Sequence, residues 1–592
     1  MADSQFISNS TVTYDVASSG VTTVTHDITL QNKSSDFYAT SYTLSLSGIT
    51  PLNPVAVENG DSLPVKVTQN KDSNTTSMEV DFTTPVVGKD SKREFSISFQ
   101  DKTLIAKSGE IWEITTPKLS DQTSFDFYSS IIKVPTSFGQ LAYISPTPSF
   151  KGNENGKMIF SFDKATSVKN AVTAAFGNFQ VFSFDLTYHI ENPLNGPAET
   201  EVALPPDTNY QKMNYTNISP QPTKIRIDND GNWLATFSLK AHEKVDVKAE
   251  GAVQLFADSV EFPKIDKKEV INNLAATSLW QTKDPKIQAL AVKYKTPKQI
   301  YDYVVSTLSY DYQKQVPDVQ RLGAVAALND PKAAICTEFT DLFIAIARAA
   351  GIPAREIEGY AYTDNPEVQP LSLVADVLHA WPEYWDKDKQ IWIAVDPTWG
   401  STSQIDYFSK LDLRHFAFVI HGSDPKKPYP AGSYKIGDNP QKDVQVNFGQ
   451  LPTKRVSNLK ITNSILSELP FSDEIVNTKI KNEGPVAVYN YDLKIQYDNS
   501  KIAKEIKIDV IPPYGYYETK IEIPYSFLGQ RTPAKIGVLI NDSKQSEFDT
   551  YKVYVTISNL LMILLFVFFI IVLAYLKFKD VTSKQKSSSP SA

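Results

Sequence analysis

The sequence predicts a multidomain, β-rich chain. Residues 1–122 and 123–260 read as two antiparallel β-sandwiches, 261–442 as an α+β domain, and 443–552 as an Ig-like β-sandwich. A single transmembrane helix over 553–576 and a basic tail over 577–592 complete it. Three observations predict this order. Apolar and polar residues alternate through most of the chain, and the period lengthens to that of a helix only between about residues 265 and 350. Near the end stands an uncharged apolar run, Leu560 to Leu576. With 592 residues the chain is long enough for several separate cores.

Taken in order, TVTYDV, VTTVTHDITLQN, YTLSLSG, SMEVDFTT and REFSISFQ are period-two runs broken by Gly, Asn and Asp clusters, the rhythm of an antiparallel sandwich. FSFDLTYHIEN, AETEVALP and TKIRIDNDGNWLATFSL behave alike. The two regions share an order of strand motifs that amounts to a weak internal repeat. PKIQALAVKY and PKQIYDYVVSTLSY then place apolar residues at helical spacing, the second behind a helix-starting proline. NDPKAAICTEFTDLFIAIARAAGIPAR reads as a further helix followed by short strands, hence α+β. Alternation returns from about residue 445. Leu560–Leu576, extended by Val555–Asn559, reaches the roughly 20 residues that span a bilayer. Lys577, Lys579, Lys584 and Lys586 against Asp580 leave the tail net basic, which keeps it cytoplasmic and the bulk of the chain extracytoplasmic at a cell membrane. KQKSSSPSA should be disordered. MADSQFISNS has no apolar signal region, so the expected topology implies a removed leader, the alternative being a tail anchor.

Composition excludes several classes. A net charge of −8 with no Lys/Arg stripe argues against a nucleic-acid partner. One cysteine, Cys336, forbids an intramolecular disulfide and any Cys-based zinc or iron–sulfur site. The six histidines form no HExxH and imply no metal. His415 and His421 read as structural. GNENGK is too short for a phosphate loop, and DNDGN lacks the twelfth-position glutamate of a calcium loop, so it reads as a hairpin turn. No cofactor is expected.

A lone cysteine is ordinarily a small buried hydrophobe. Here Phe339, Leu342, Phe343, Ile346 and Ala350 form one helical stripe that leaves Cys336 at the helix start, with Gly351 and Pro353 ending the helix. Unpaired N–H groups and the positive dipole end favour a thiolate there. In LHAWPEYWDKDKQIWIAVDPTW, folding back about Lys387–Asp388 would oppose Trp385 to Gln390 and His379 to Asp396. Directly opposed residues share a face with Cβ atoms about 4.5–5.5 Å apart. Cys336, His379 and Asp396 then make a nucleophile, a base and its orienting carboxylate. The Cys336 backbone N–H would be an oxyanion donor. Trp381 and Trp399 are candidates to line a substrate groove, although core packing suits them as well.

AICTEFTDLFIAIARAAGIPAREIEGYAY, LHAWPEYW and WIAVDPTWG together resemble the transglutaminase-like superfamily, a papain-related fold with Cys, His and Asp in this order. The resemblance covers about residues 285–425 and is of a bacterial, membrane-anchored type. It implies a cysteine enzyme forming a thioacyl intermediate on protein or peptide amides, followed by hydrolysis, deamidation or transamidation. Peptide-bond hydrolysis is the expected outcome for a domain of this kind. It also implies an upstream side-chain donor, for which Tyr310 is the candidate and Tyr312 the alternative. Ala334 stands where the family commonly has glycine. The rival reading is a surface scaffold whose central domain is inert.

Overall fold

A computed structural model describes residues 5–70, 74–117, 125–169, 171–315, 320–371, 376, 378–403, 405–409, 411–435, 441–453, 455–467, 473–498, 501–524, 526–527 and 529–586. The chain forms two compact units. Residues 1–221 with 227–453 make the first, and 222–226 with 454–592 the second.

In the first unit, Phe6–Val16 and Thr22–Asn32 pair antiparallel with every second side chain buried. Their sheet has eight strands, and it does not stop at residue 122. Phe127–Pro135 adds to Phe6–Val16 in parallel, with Asn9 opposite Phe127, and Lys157–Asp163 follows it. Val12, Ile28, Ile97, Ile132 and Phe162 accordingly share one core. Strand pairing thus crosses the expected boundary at 122, and one pair in the sheet is parallel where only antiparallel pairing was expected. Alternation identifies strands and their inner faces, but a strand's partner is chosen by packing. The same holds at 442: Val444–Phe448 pairs with Phe179–Glu191 rather than opening a new domain.

The α+β portion is built around the helix Cys336–Ala349. Twelve of its 14 residues are buried, so it is a central helix and not one with a single apolar stripe. Phe339, Leu342, Phe343, Ile344 and Ile346 are fully buried, each worth about 1.5–3 kcal/mol relative to exposure. Its buried charges Asp341 and Arg348 are answered. Asp341 accepts from Trp280 Nε1 at 2.8 Å and from Arg321 Nε at 3.0 Å. Arg348 donates to the carbonyls of Ala354, Ala275 and Gly422. At the C-terminus, the Gly351 N–H donates to Arg348 O and the Ile352 N–H to Ala347 O, with Gly351 at φ +81. That pair of hydrogen bonds closes the helix as its sequence predicted. Upstream, Thr296 and Gln299 form a capping box around Pro297, which starts the helix Pro297–Thr307.

Against this helix lies a four-stranded antiparallel sheet in the order Ile391–Ala394, His379–Asp386, Ala354–Ala361, His415–His421. Gly359 faces His379 across one ladder, and a Cβ there would lie 2.1 Å from the Phe416 carbonyl oxygen, a place only glycine can fill. Asp228–Asn232 is a hairpin turn, as expected. The Asn232 amide both donates to Ile420 O and accepts from Ile420 N.

The second unit has two sheets, Leu459–Ser467 with Glu474–Asn482 and Tyr516–Ile523, and Lys501–Ile511 with Val488–Tyr497, Lys535–Ile540 and Ser543–Asp549. Val476 and Ile521 from one sheet and Leu493, Ile495 and Val538 from the other share one core. The C-terminal helix runs Lys552–Lys586, past the apolar run and into the basic tail. Its segment Lys552–Lys584 contains an 18-residue stretch of mean hydropathy 3.0 and is long and apolar enough to cross a membrane. Residues 587–592 of the expected disordered end lie outside the described residues.

Candidate active site

Cys336 is the first residue of its helix and only 4% exposed. Helical geometry leaves its N–H and that of Thr337 without an intrahelical acceptor. Glu338 folds back so that its carboxylate accepts the Ile335 N–H at 3.0 Å, which fixes the turn entering the helix. The segment before it runs beside residues 309–311. There the Ser309 N–H donates to Pro331 O, the Asp311 N–H donates to Ala334 O, and Tyr310 bridges Ala334.

Tyr310 is thereby brought to the thiol. Burial and the neighbouring Cys336 both push its hydroxyl well above the usual range, so it remains a protonated donor. Gln315 donates to its oxygen at 3.3 Å. Tyr312 is 45% exposed and its hydroxyl is spent on Glu367 O.

His379 and Asp396 meet, with Nε2 3.0 Å from Oδ2 and both side chains fully buried. The ladder that was expected to join them has a different register. Trp385 pairs with Trp392 and Tyr384 with Ile393, two positions beyond the predicted alignment, and the ladder ends at Glu383 opposite Ala394. Gln390, at φ +56, closes a longer turn. The two-residue shift preserves side-chain parity, so Asp396 stays on the His379 face. Contact is made because the chain leaves the strand and Asp396 starts the helix Pro397–Ser403. Asp396 Oδ1 accepts the N–H groups of Thr398 at 2.9 Å and Trp399 at 3.0 Å.

The opposite nitrogen of the ring, Nδ1, is buried and makes no hydrogen bond of full geometry. The Cys336 sulfur is nonetheless near enough to favour the charged ring. Burial works against the imidazolium, but Asp396 outweighs it and, with Cys336, carries the His379 pKa up to about 9. Asp396 is likewise pulled up by burial, and His379 and His415 reverse that and hold it well below the usual carboxylate range. Trp399 stacks on the imidazole with ring centroids 5.2 Å apart, and Trp381 at 5.9 Å. Their π faces suit a cation. Trp399 is 0% exposed and Trp381 2%. Both pack on the ring in the core, and Trp381 also lines a cavity of about 350 Å³.

Sequence reasoning underrated His415. Its ring lies 1% exposed, with Nε2 3.3 Å from the same Asp396 oxygen and Nδ1 2.7 Å from Asp412 Oδ1. No sequence signal beyond the i, i+3 spacing of Asp412 and His415 marks it. Among the described residues, two groups of three possible ligands are close enough for a cation, His379–Asp396–His415 and Glu356–Glu358–His421. In the first, one oxygen already serves both imidazoles. In the second, Arg321 and His421 already occupy Glu356.

The geometry can be set beside known proteins. Residues 281–397 match the model of the transglutaminase-like superfamily. A protein-glutamine gamma-glutamyltransferase of Pseudomonas aeruginosa is 26% identical over 195 residues, which are 31% of this chain and 29% of that protein. The uncharacterized protein YebA of Bacillus subtilis is 24% identical over 236 residues, 37% of this chain and 30% of its own length. Among solved structures, the periplasmic domain of TgpA from Pseudomonas aeruginosa aligns at 17% identity with a TM-score of 0.22, over 38% of this chain and 91% of that one. The chain spans less than a third of the length of the curated relatives quoted. It carries a transglutaminase-like domain.

Proposed function

We propose that this transglutaminase-like domain is a cysteine acyl-transfer enzyme acting on amides of protein or peptide substrates. The observation that carries the reading is the His379 ring. One nitrogen is committed to Asp396, and the other is uncommitted beside the only thiol, which heads a helix.

In the mechanism, the Cys336 thiolate attacks the amide carbonyl carbon and forms a C–S bond. The carbonyl oxygen becomes an oxyanion that the Cys336 N–H and the Tyr310 hydroxyl can receive, each such donor typically being worth about 100- to 1,000-fold in rate. The His379 imidazolium gives its Nδ1 proton to the leaving nitrogen as the C–N bond breaks, and a thioester remains. Water or a primary amine then gives a proton to Nδ1, attacks the thioester carbon, and releases Cys336. Asp396 keeps the ring in the tautomer and orientation that both steps need. The glutamyltransferase relative supports a glutamine side chain as acyl donor. Peptide hydrolysis uses the same thioester.

Iodoacetamide tests this without a substrate. At pH 6, His379 is charged because its pKa is raised, and the ion pair should make Cys336 label at least about tenfold faster than in His379→Ala. The advantage should fade as pH rises through about 9, where the ring loses its proton. Equal and slow labelling in both proteins would favour the inert scaffold.

We read the flanking β regions as sandwiches, the last of them Ig-like, and the C-terminal helix as a membrane anchor. The net-basic residues that follow the apolar run support a cytoplasmic tail and an extracytoplasmic catalytic domain. Protease added to intact cells should then digest residues 1–550. Full protection of that portion would reverse the orientation.

A further inference from the structure

Behind the proposed nucleophile and base, the polar chain continues. Asp396 Oδ2 receives His379 Nε2 from one side and His415 Nε2 from the other, and the two rings lie 5.6 Å apart. His415 Nδ1 meets Asp412 Oδ1. Both nitrogens of His415 therefore face carboxylate oxygens, and only the doubly protonated ring can donate to both. Asp412 side-chain exposure is 9% against 0% for Asp396. A cavity of about 350 Å³ explains the difference, with His415, Asp412 and Trp381 in its wall.

We propose that His415, held between the Asp412 and Asp396 carboxylates, is a positioning residue for the acyl-transfer reaction. It fixes the Asp396 carboxylate and, as a second cationic neighbour, limits how tightly that carboxylate retains the His379 proton. The inference rests on the reading of Cys336 and His379 given above. A carboxylate serving His379 alone would hold the imidazolium more firmly and make it a weaker acid toward the leaving amine. A fixed cation on the same oxygen weakens that hold and repels the neighbouring imidazolium.

Besides the packed rings of Trp399 and Trp381, the titratable and charged groups around the His415 ring are few among the described residues. Asp396 and Asp412 meet its nitrogens, and His379 lies across Asp396. Tyr407 sits with ring centroids 6.4 Å away, and its hydroxyl accepts from Gln369. Arg414, the preceding residue, is paired with Glu113 and Asp364. Glu383, in the same cavity wall, is bound to Arg355.

The test is carried out on the full chain. Iodoacetamide labelling of Cys336 is followed from pH 5 to 10 in the parent and in His379→Ala. The midpoint is the pH at which the parent loses its rate advantage over that reference. The same comparison, each with its own His379→Ala partner, is made in His415→Gln and Asp412→Asn. Glutamine keeps a donor to Asp396 without the charge. Asparagine keeps the ring while removing the reason for its second proton. The midpoint should rise by about one pH unit in both variants, because a cation beside His379 has gone. A simple packing role would lower stability and leave the midpoint unmoved. A midpoint that stays or falls in either variant overturns this inference, whereas no His379-dependent advantage in the parent overturns the enzyme reading itself.

Discussion

Cys336→Ala is expected to abolish turnover, by about 10⁴-fold or more, in two assays: incorporation of a primary amine into a glutamine-containing protein, and release of peptide fragments. The thioester is the shared intermediate of both outcomes, and the chain has no second thiol to replace Cys336. His379→Ala should cost nearly as much, because the leaving nitrogen would then depart unprotonated. The double variant should be no worse than Cys336→Ala alone, since the two residues act in one step. Folding is not at issue in the cysteine variant: one small side chain at the edge of a helix is truncated, a loss of about 1 kcal/mol. Turnover that survives in Cys336→Ala would remove the thioester from the mechanism.

Arg321→Met should produce the largest loss of stability. The guanidinium bonds Asp341 at 3.0 Å through Nε and Glu356 at 3.0 Å through Nη1, and lies 3.7 Å from Glu358. Burial raises Asp341 to about 7 even with Arg321 present, and it raises Glu358 too. Burial also pushes Glu356 upward, but Arg321 and His421 more than reverse it. Removing the arginine leaves three carboxylates facing His421 alone. Breaking a buried pair in this way typically costs about 3–5 kcal/mol. The deficit must grow with pH. With the folded-state pKa values of Asp341 and Glu358 raised, and Arg321 no longer holding Glu356 down, these carboxylates hold more protons folded than unfolded in the variant, so its stability falls as pH rises above the unfolded carboxylate range. Denaturant midpoints of parent and variant at pH 5 and pH 8 check it. A difference below about 1 kcal/mol, or one independent of pH, would show the cluster to be a minor element. Because Asp341 is on the Cys336 helix, partial loss of the cluster should also loosen the thiol's setting.

How far the site was legible differs residue by residue. Cys336 was readable because a helix start and end are written locally. The stripe from Phe339 and the C-terminal Gly351 and Pro353 all act within one or two turns. His379 and Asp396 were paired correctly for the wrong reason. The turn is longer than assumed and the register is displaced by two, but parity survives any even shift, so the face was right while the ladder was not. Their contact comes from Asp396 leaving the strand to cap a helix, which is again a local event. Trp381 and Trp399 could not be sorted between groove and core from sequence, since an aromatic residue suits either. The structure packs both on His379 and places Trp381 in a cavity wall as well.

By itself the sequence determined what short-range chemistry determines: which runs are strands, where the central helix begins and stops, the single thiol, and a C-terminal helix apolar enough for a bilayer. Tertiary structure alone decided that Phe127–Pro135 joins the first sheet, that Val444–Phe448 joins an earlier one, and that His415 reaches Asp396. Those choices depend on which distant surfaces can be buried together and which buried charges then need partners. Such terms arise only when the chain closes on itself, so no window of sequence contains them.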